Sequence, residues 1–212
     1  FLVPKIMVGE DGKLGARNSL RCDGIEHKMG IHISPTCELI LENVKVPAEN
    51  LLGKEGDGFK IAMSALDSGR ITIAASAVGL ARAALEYSAK YARERKQFGD
   101  SIANFQGLQF MMADMYTELE AARLLVHRAA FLRDSQSPYS AEAASAKLFA
   151  TDMAMKLTTD AVQILGGAGY TKEYPVERYM REAKVLQIVE GTNQVQRVVI
   201  GRQIAQGLLP KV

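Results

Sequence analysis

Between Gly58 and Leu165 apolar residues return every three or four positions, the spacing of one face of an α-helix. Phe59, Met63 and Leu66, then Ile73, Ala77, Leu80, Ala84 and Leu85, predict a first helix from about Gly58 to about Arg95, ended by Phe98-Gly99-Asp100. Leu108, Met111, Met112, Met115, Leu119 and Ala122 predict a second, from about Asn104 to Asp134, with a turn at Ser135–Pro138. A third runs from about Ser140 to Leu165, with Ala144, Lys147, Leu148, Thr151, Met155, Thr158 and Val162 on its inward side. Gly166, Gly167 and Gly169 supply the positive φ needed beyond a helix end. A short helix follows Pro175. A last one follows Thr192, a helix-capping residue, with Val195, Val198, Val199 and Ile204 as its apolar side. Three long helices joined by short turns pack antiparallel, and with the last they make a four-helix bundle.

The first fifty residues obey a different rhythm. Gly9-Glu10-Asp11-Gly12 and Cys22-Asp23-Gly24 are turn signals, and Glu38 to Val46 is β-rich up to Pro47. So short a β segment cannot close a barrel or a sandwich by itself. The expected fold class is mainly α: residues 1–53 as the last part of a β domain, residues 54–212 as a helical bundle. Phe1 is not a start residue, so the chain is expected to begin inside a longer protein or to follow a cut.

Composition narrows the function. Of 212 residues, 48% are hydrophobic and 24% charged, ordinary for a globular protein. A net charge of +2 gives no electrostatic argument for nucleic acid or a membrane surface, and neither is an expected partner. Cys22 and Cys37 fit free thiols better than a disulfide framework. His27, His32 and His127 have neither metal nor triad spacing, so no metal is expected, and no serine sits in a nucleophile elbow.

Four motifs remain: Asp67-Ser68-Gly69-Arg70, Arg95-Lys96-Gln97-Phe98-Gly99 with Phe105-Gln106, Gln163-Ile164-Leu165-Gly166-Gly167-Ala168-Gly169, and Glu190-Gly191-Thr192-Asn193-Gln194. With Met29-Gly30-Ile31 and Ser34-Pro35-Thr36, in this order, they resemble the C-terminal half of the acyl-CoA dehydrogenases, most of all the short-chain and branched-chain bacterial members. The glycine run is not a dinucleotide fingerprint, because no strand precedes it.

The resemblance implies FAD-dependent α,β-dehydrogenation of a short-chain acyl-CoA to the trans-2-enoyl-CoA, in fatty-acid β-oxidation. Glu190 matches the base that removes the α proton while the β hydrogen leaves as hydride to flavin N5. A carboxylate buried beside an apolar chain is a stronger base, and polarising the thioester carbonyl makes the α proton more acidic. Gly191 would let the thioester approach the backbone. Arg95, Gln97, Phe98 and Gln106 match contacts to FAD of a neighbouring subunit, arginine because its planar fork suits phosphate. Gln163, Ile164, Leu165, Gly166 and Gly167 match the approach to the adenosine end. Thr192, Asn193 and Gln194 offer a hydroxyl, amides and helix-start N–H groups to the cofactor. Asp67, Ser68, Gly69 and Arg70 match the contact to the CoA portion.

The resemblance further implies a homotetramer with FAD at a subunit interface, electrons passed to an electron-transfer flavoprotein, and the bacterial cytoplasm or, in a eukaryote, the mitochondrial matrix. It also implies an N-terminal helical domain and a first β segment touching the flavin, neither within this chain. The plainer alternatives are a first-turn carboxylate at Glu190, helix caps at Thr192–Gln194, a surface ion pair at Asp67–Arg70, an oxidase on the same fold, and a non-catalytic helical module.

Overall fold

The computed structural model describes residues 1–9 and 11–208; Glu10, within the turn expected at Gly9–Gly12, and residues 209–212 lie outside the described residues. The chain divides into two compact units, Phe1–Met63 and a larger one from Ser64 onward.

The first unit consists of two antiparallel ladders. β1 (Ile6–Val8) pairs with β2 (Leu14–Arg17), and β3 (Leu20–Asp23) pairs with β4 (Glu38–Leu41) in the register Leu20↔Leu41 to Asp23↔Glu38. Asn18 ties them to the loops around them. Its amide donates to the carbonyls of Pro4 (2.9 Å) and Lys45 (2.8 Å) and accepts from Lys45 N–H (3.1 Å). The expected strand through Val46 stops at Leu41, and Asn43 at φ 53° takes the backbone out of extended geometry.

The second unit is helical. The helices are α1 (Gly58–Glu94, whose first residues belong to the first unit), α2 (Gln106–Asp134), α3 (Ser140–Leu165), α4 (Val176–Leu186) and α5 (Asn193–Ala205). Between α1 and α2 a small hairpin pairs β5 (Lys96–Gln97) with β6 (Asp100–Ser101). α2 begins two residues later than its periodicity predicts, because Ser101 caps a 3₁₀ turn over Ile102–Asn104.

α3 is the central helix, packed on α2, α4 and α5. Alanine dominates the core: Ala74, Ala77, Ala81 and Ala84 of α1, Ala122 and Ala129 of α2, and Ala143, Ala146, Ala150, Ala154 and Ala161 of α3 have no exposed surface. Small side chains let helix axes come close, and alanine loses no rotamer freedom in a helix. Met115, Leu119 and Leu157 fill the wider gaps. Among the described residues no helix is long and apolar enough to cross a membrane.

Two expected apolar faces point outward. Phe59 and Met63 are exposed at the start of α1. On α5, Val195, Val198 and Ile204 are exposed, while Asn193 and Gln196 are buried. The periodicity of α5 is there, but its inward side is polar because it closes over polar groups of α3.

Candidate functional site

Between α4 and α5 the main chain makes a turn that L-residues resist. Glu190 has φ 54° and Gly191 φ 84°, both left-handed. For a residue with a Cβ this costs about 1–2 kcal/mol, so the surroundings have to hold it. Gln196, wholly buried on α5, donates its side-chain amide to the carbonyls of Gly191 (2.8 Å) and Glu190 (3.2 Å). Lys147, wholly buried on α3, donates from Nζ to the same Gly191 carbonyl (2.9 Å) and to Asn193 Oδ1 (2.8 Å). Asn193 turns its Nδ2 to Thr151 Oγ1 (2.9 Å) and Asp152 Oδ1 (2.7 Å). Asp152 also accepts from Gln187 Nε2 (2.7 Å) and Arg197 Nη2 (3.2 Å). Thr192 caps α5 by accepting from the Val195 N–H (3.4 Å). Burial pushes the Lys147 amine down to about 8; the Arg70 charge acts in the same direction, and the carboxylates of Asp152 and Glu190 act against it.

The Glu190 side chain reaches across to α1. A Cβ placed on Gly69 would stand 2.4 Å from Glu190 Oε2 and 2.9 Å from its Cδ. The carboxylate therefore lies in the volume that the missing side chain of Gly69 leaves open. One residue on, Arg70 is buried and paired with Asp67 (2.5 Å). Asp67 also accepts from Ser140 Oγ (3.1 Å), and the Ser68 and Tyr139 hydroxyls lie 3.2 Å apart. Asp67, Tyr139, Ser140 and Gln203 line an open cleft of about 360 Å³. Two buried atoms in this region, Arg70 Nε and Gln196 Oε1, find no hydrogen-bond partner among the described residues. Such atoms are uncommon in folded proteins.

A second concave surface lies at the far ends of the helices. Arg95 and Gln97, at the close of α1 and the start of the hairpin, share a groove of about 490 Å³ with Ile164, Leu165, Gly166 and Gly167, at the close of α3. At the positions where Cβ atoms would stand on Gly166 and Gly167 nothing lies within 4 Å. The hairpin tip, Phe98-Gly99, has positive φ at both residues (53° and 86°), the geometry of a type I′ turn. It displays the Phe98 ring at 95% exposure. Counting from Gly69, α1 runs another 25 residues to Glu94, about 38 Å at 1.5 Å per residue. α3 runs 18 residues from Lys147 to Leu165, about 27 Å. The carboxylate and the groove thus occupy opposite ends of one bundle.

Residues 56–205 match the family model of the acyl-CoA dehydrogenase C-terminal domain. The chain belongs to the acyl-CoA dehydrogenase family. It is 54% identical over 180 residues to the short-chain-specific acyl-CoA dehydrogenase of Clostridium acetobutylicum, covering 85% of this chain and 48% of that one. Butyryl-CoA dehydrogenase from Megasphaera elsdenii superposes with a TM-score of 0.87 at 52% identity, over 88% of this chain and 49% of that chain. A chain in the structure of the electron transferring flavoprotein of Acidaminococcus fermentans, a study of flavin-based electron bifurcation, superposes with a TM-score of 0.86 at 61% identity, over 88% and 49%. The chain spans about half the length of the relatives it matches.

Against the pattern of this acyl-CoA dehydrogenase family, the motif residues fall into two groups. Asp67, Ser68, Gly69 and Arg70 gather near Glu190 and Gly191, joined by Thr192 at the head of α5. Arg95, Gln97, Ile164, Leu165, Gly166 and Gly167 gather at the groove. Phe98, Gln106 and Gln163 are exposed nearby in sequence but do not line it. Gln194 is exposed on the first turn of α5. Asn193 departs from the expected cofactor contact: it is buried, its side-chain amide is engaged by α3, and its backbone N–H donates to Gln187 O (3.0 Å). None of the four motifs contains Lys147, Thr151, Asp152, Gln196 or Tyr139. The available signal was a lysine and a threonine one turn apart on the inward face of an alanine-rich helix.

Proposed function

We propose that this chain is the base-bearing part of an FAD-dependent acyl-CoA dehydrogenase acting on a short-chain acyl-CoA. The observation that carries the reading is Glu190: a lone carboxylate on a left-handed turn, aimed into the space left by Gly69. Glu190 takes the proton from the α carbon of the thioester. Its backbone N–H is a donor for the thioester carbonyl, which makes that proton more acidic. Gly191 meets two demands of the turn: its φ of 84°, and the Gln196 amide, which would stand 2.9 Å from a Cβ placed there. The cleft at Asp67, Tyr139 and Ser140 is a polar surface for the CoA portion. FAD, when bound, would supply the hydride acceptor that this reaction needs for the β hydrogen.

The residues of the groove fit that cofactor. Arg95 brings a guanidinium fork suited to a pyrophosphate. Gly166 and Gly167 present open backbone beside it, where a ligand can lie close. A span of about 38 Å along α1 is longer than one dinucleotide covers, so one FAD cannot serve both ends of one chain. A second copy, bringing its groove to the first copy's Glu190, resolves this, and the assembly is a homo-oligomer, a tetramer, with FAD at a subunit interface. The names of the relatives, a short-chain-specific acyl-CoA dehydrogenase and a butyryl-CoA dehydrogenase, support the chain length. The similarity to a chain from the electron transferring flavoprotein work supports that flavoprotein as electron acceptor.

The test is the visible spectrum of the full-length protein with FAD, before and after anaerobic addition of butyryl-CoA. Bleaching of the flavin band is expected for the wild type. Glu190→Gln is expected to keep the band and lose the bleaching; substantial bleaching by that variant overturns the assignment of the base.

A further inference from the structure

We propose that Lys147 is the positioning residue of the Glu190 base, a role that rests on the reading of Glu190 given above. Lys147 lies on α3, more than forty residues before the turn it holds, and has no exposed surface. Its two described hydrogen bonds end on neutral oxygens, the Gly191 carbonyl and Asn193 Oδ1. Burying an ammonium without a bonded carboxylate is unfavourable, and a core position of this kind is better served by an apolar side chain if stability is its only duty. What the ammonium does here is fix a peptide plane.

The geometry is specific. Gly191 O is drawn inward by Lys147 and by Gln196, and Glu190 O by Gln196. In a trans peptide the N–H points opposite its C=O. The N–H groups of Gly191 and Thr192 are therefore turned away from Lys147 and Gln196. With both carbonyls inward, residues 190 and 191 stay left-handed and the Glu190 side chain is directed to the gap at Gly69. Asn193 completes the clamp, because the oxygen that Lys147 grips belongs to the first residue of α5. Thr151 and Asp152 of α3 also bond Asn193, but among these α3 side chains Lys147 is the one that reaches the carbonyl of the turn itself.

Lys147→Met keeps the length and the apolar stem and removes the donors. In the full-length protein it is expected to bind FAD in the same amount and to half-saturate with butyryl-CoA at the same concentration. Its limiting rate of anaerobic flavin bleaching is expected to fall about 10²-fold, the scale of a displacement near 1 Å at a reacting group. Hydrogen exchange is a second readout that needs no turnover: amides of residues 190–193 are expected to exchange faster than in wild type, while those in the middle of α1 do not change. Lys147→Gln, which restores one donor, is expected to recover part of the rate. A bleaching rate per bound flavin equal to wild type, or unchanged exchange at 190–193, overturns the proposal. Failure of both variants to fold assigns Lys147 to folding alone and overturns it too. If the wild type itself does not bleach, the reading of function fails, and the exchange experiment still decides whether Lys147 holds the turn.

Discussion

Gly69→Ala separates stability from catalysis, because it is expected to move them in opposite directions. Gly69 lies inside α1, and replacing an interior helical glycine with alanine favours the helix by about 1 kcal/mol. The new methyl, however, would stand 2.4 Å from Glu190 Oε2, where ordinary contact begins at 3.4 Å. Its neighbour is the end of a flexible side chain, so the carboxylate yields rather than the helix. It has to retreat by about 1 Å, a displacement that costs on the order of 10²-fold in rate. The assay is stopped-flow bleaching of bound FAD by butyryl-CoA, per bound flavin, beside a thermal melt. The melt is expected to rise or hold and the bleaching rate to fall. Gly79→Ala is the control: it lies on the same helix with nothing within 4 Å of the added methyl, and is expected to gain stability with the rate unchanged. Two results refute the reasoning: a wild-type rate in Gly69→Ala, or an equal loss of rate in both variants.

Arg95→Gln is expected to leave the melt of the flavin-free protein unchanged and to lower the FAD retained per chain through gel filtration. Asn193→Ala removes an acceptor of Lys147 and the donors to Thr151 and Asp152 inside the core. It is expected to cost about 2–4 kcal/mol by urea midpoint, whereas Gln194→Ala, exposed beside it, is expected to stay within about 0.5 kcal/mol. The Lys147 amine, held at about 8 by burial against an ordinary 10.5, releases its proton in the folded state first. Between those values the unfolded chain binds more protons, so this group's contribution to stability rises with pH across the window and is flat below it. Urea midpoints at pH 7.5 and 10 are expected to move in favour of wild type over Lys147→Met by up to roughly 3 kcal/mol.

The helices were legible because their apolar spacing is regular and their ends carry chemical signs. The third helix was expected over Ser140–Leu165 and is found there, closed by Gly166 at φ 61°. The strand expected to reach Val46 was not legible, because composition gives no sign that Asn43 turns left-handed. α5 misleads for a different reason. Its valines read as an inward face, but what it meets is a lysine, a threonine and an aspartate of α3, so amides go inward. Which side of an amphipathic helix is buried depends on its neighbour, and that pairing lies more than forty positions away. The motifs singled out Glu190 and, among others, the residues that share the groove, Arg95, Gln97 and Ile164 to Gly167. They could not show Glu190 standing against Gly69, since that proximity joins a turn to a helix 121 positions away in sequence.

The buried alanines of α1, α2 and α3 also constrain how this sequence can drift. An alanine has no rotamer to change, so it cannot itself absorb an added methylene, and overpacking such a site costs about 1–3 kcal/mol. Along Ala74, Ala77, Ala81 and Ala84 on α1, and Ala143, Ala146, Ala150 and Ala154 on α3, an added methylene has to be answered by a larger residue of the same core, such as Met115, Leu119 or Leu157. Variation is left to the outward faces, where residues such as Phe110, Leu124 and Phe131 of α2 are free to follow whatever surface they meet. Descendants of this chain would then diverge in what they assemble with long before they diverge in how their helices are spaced.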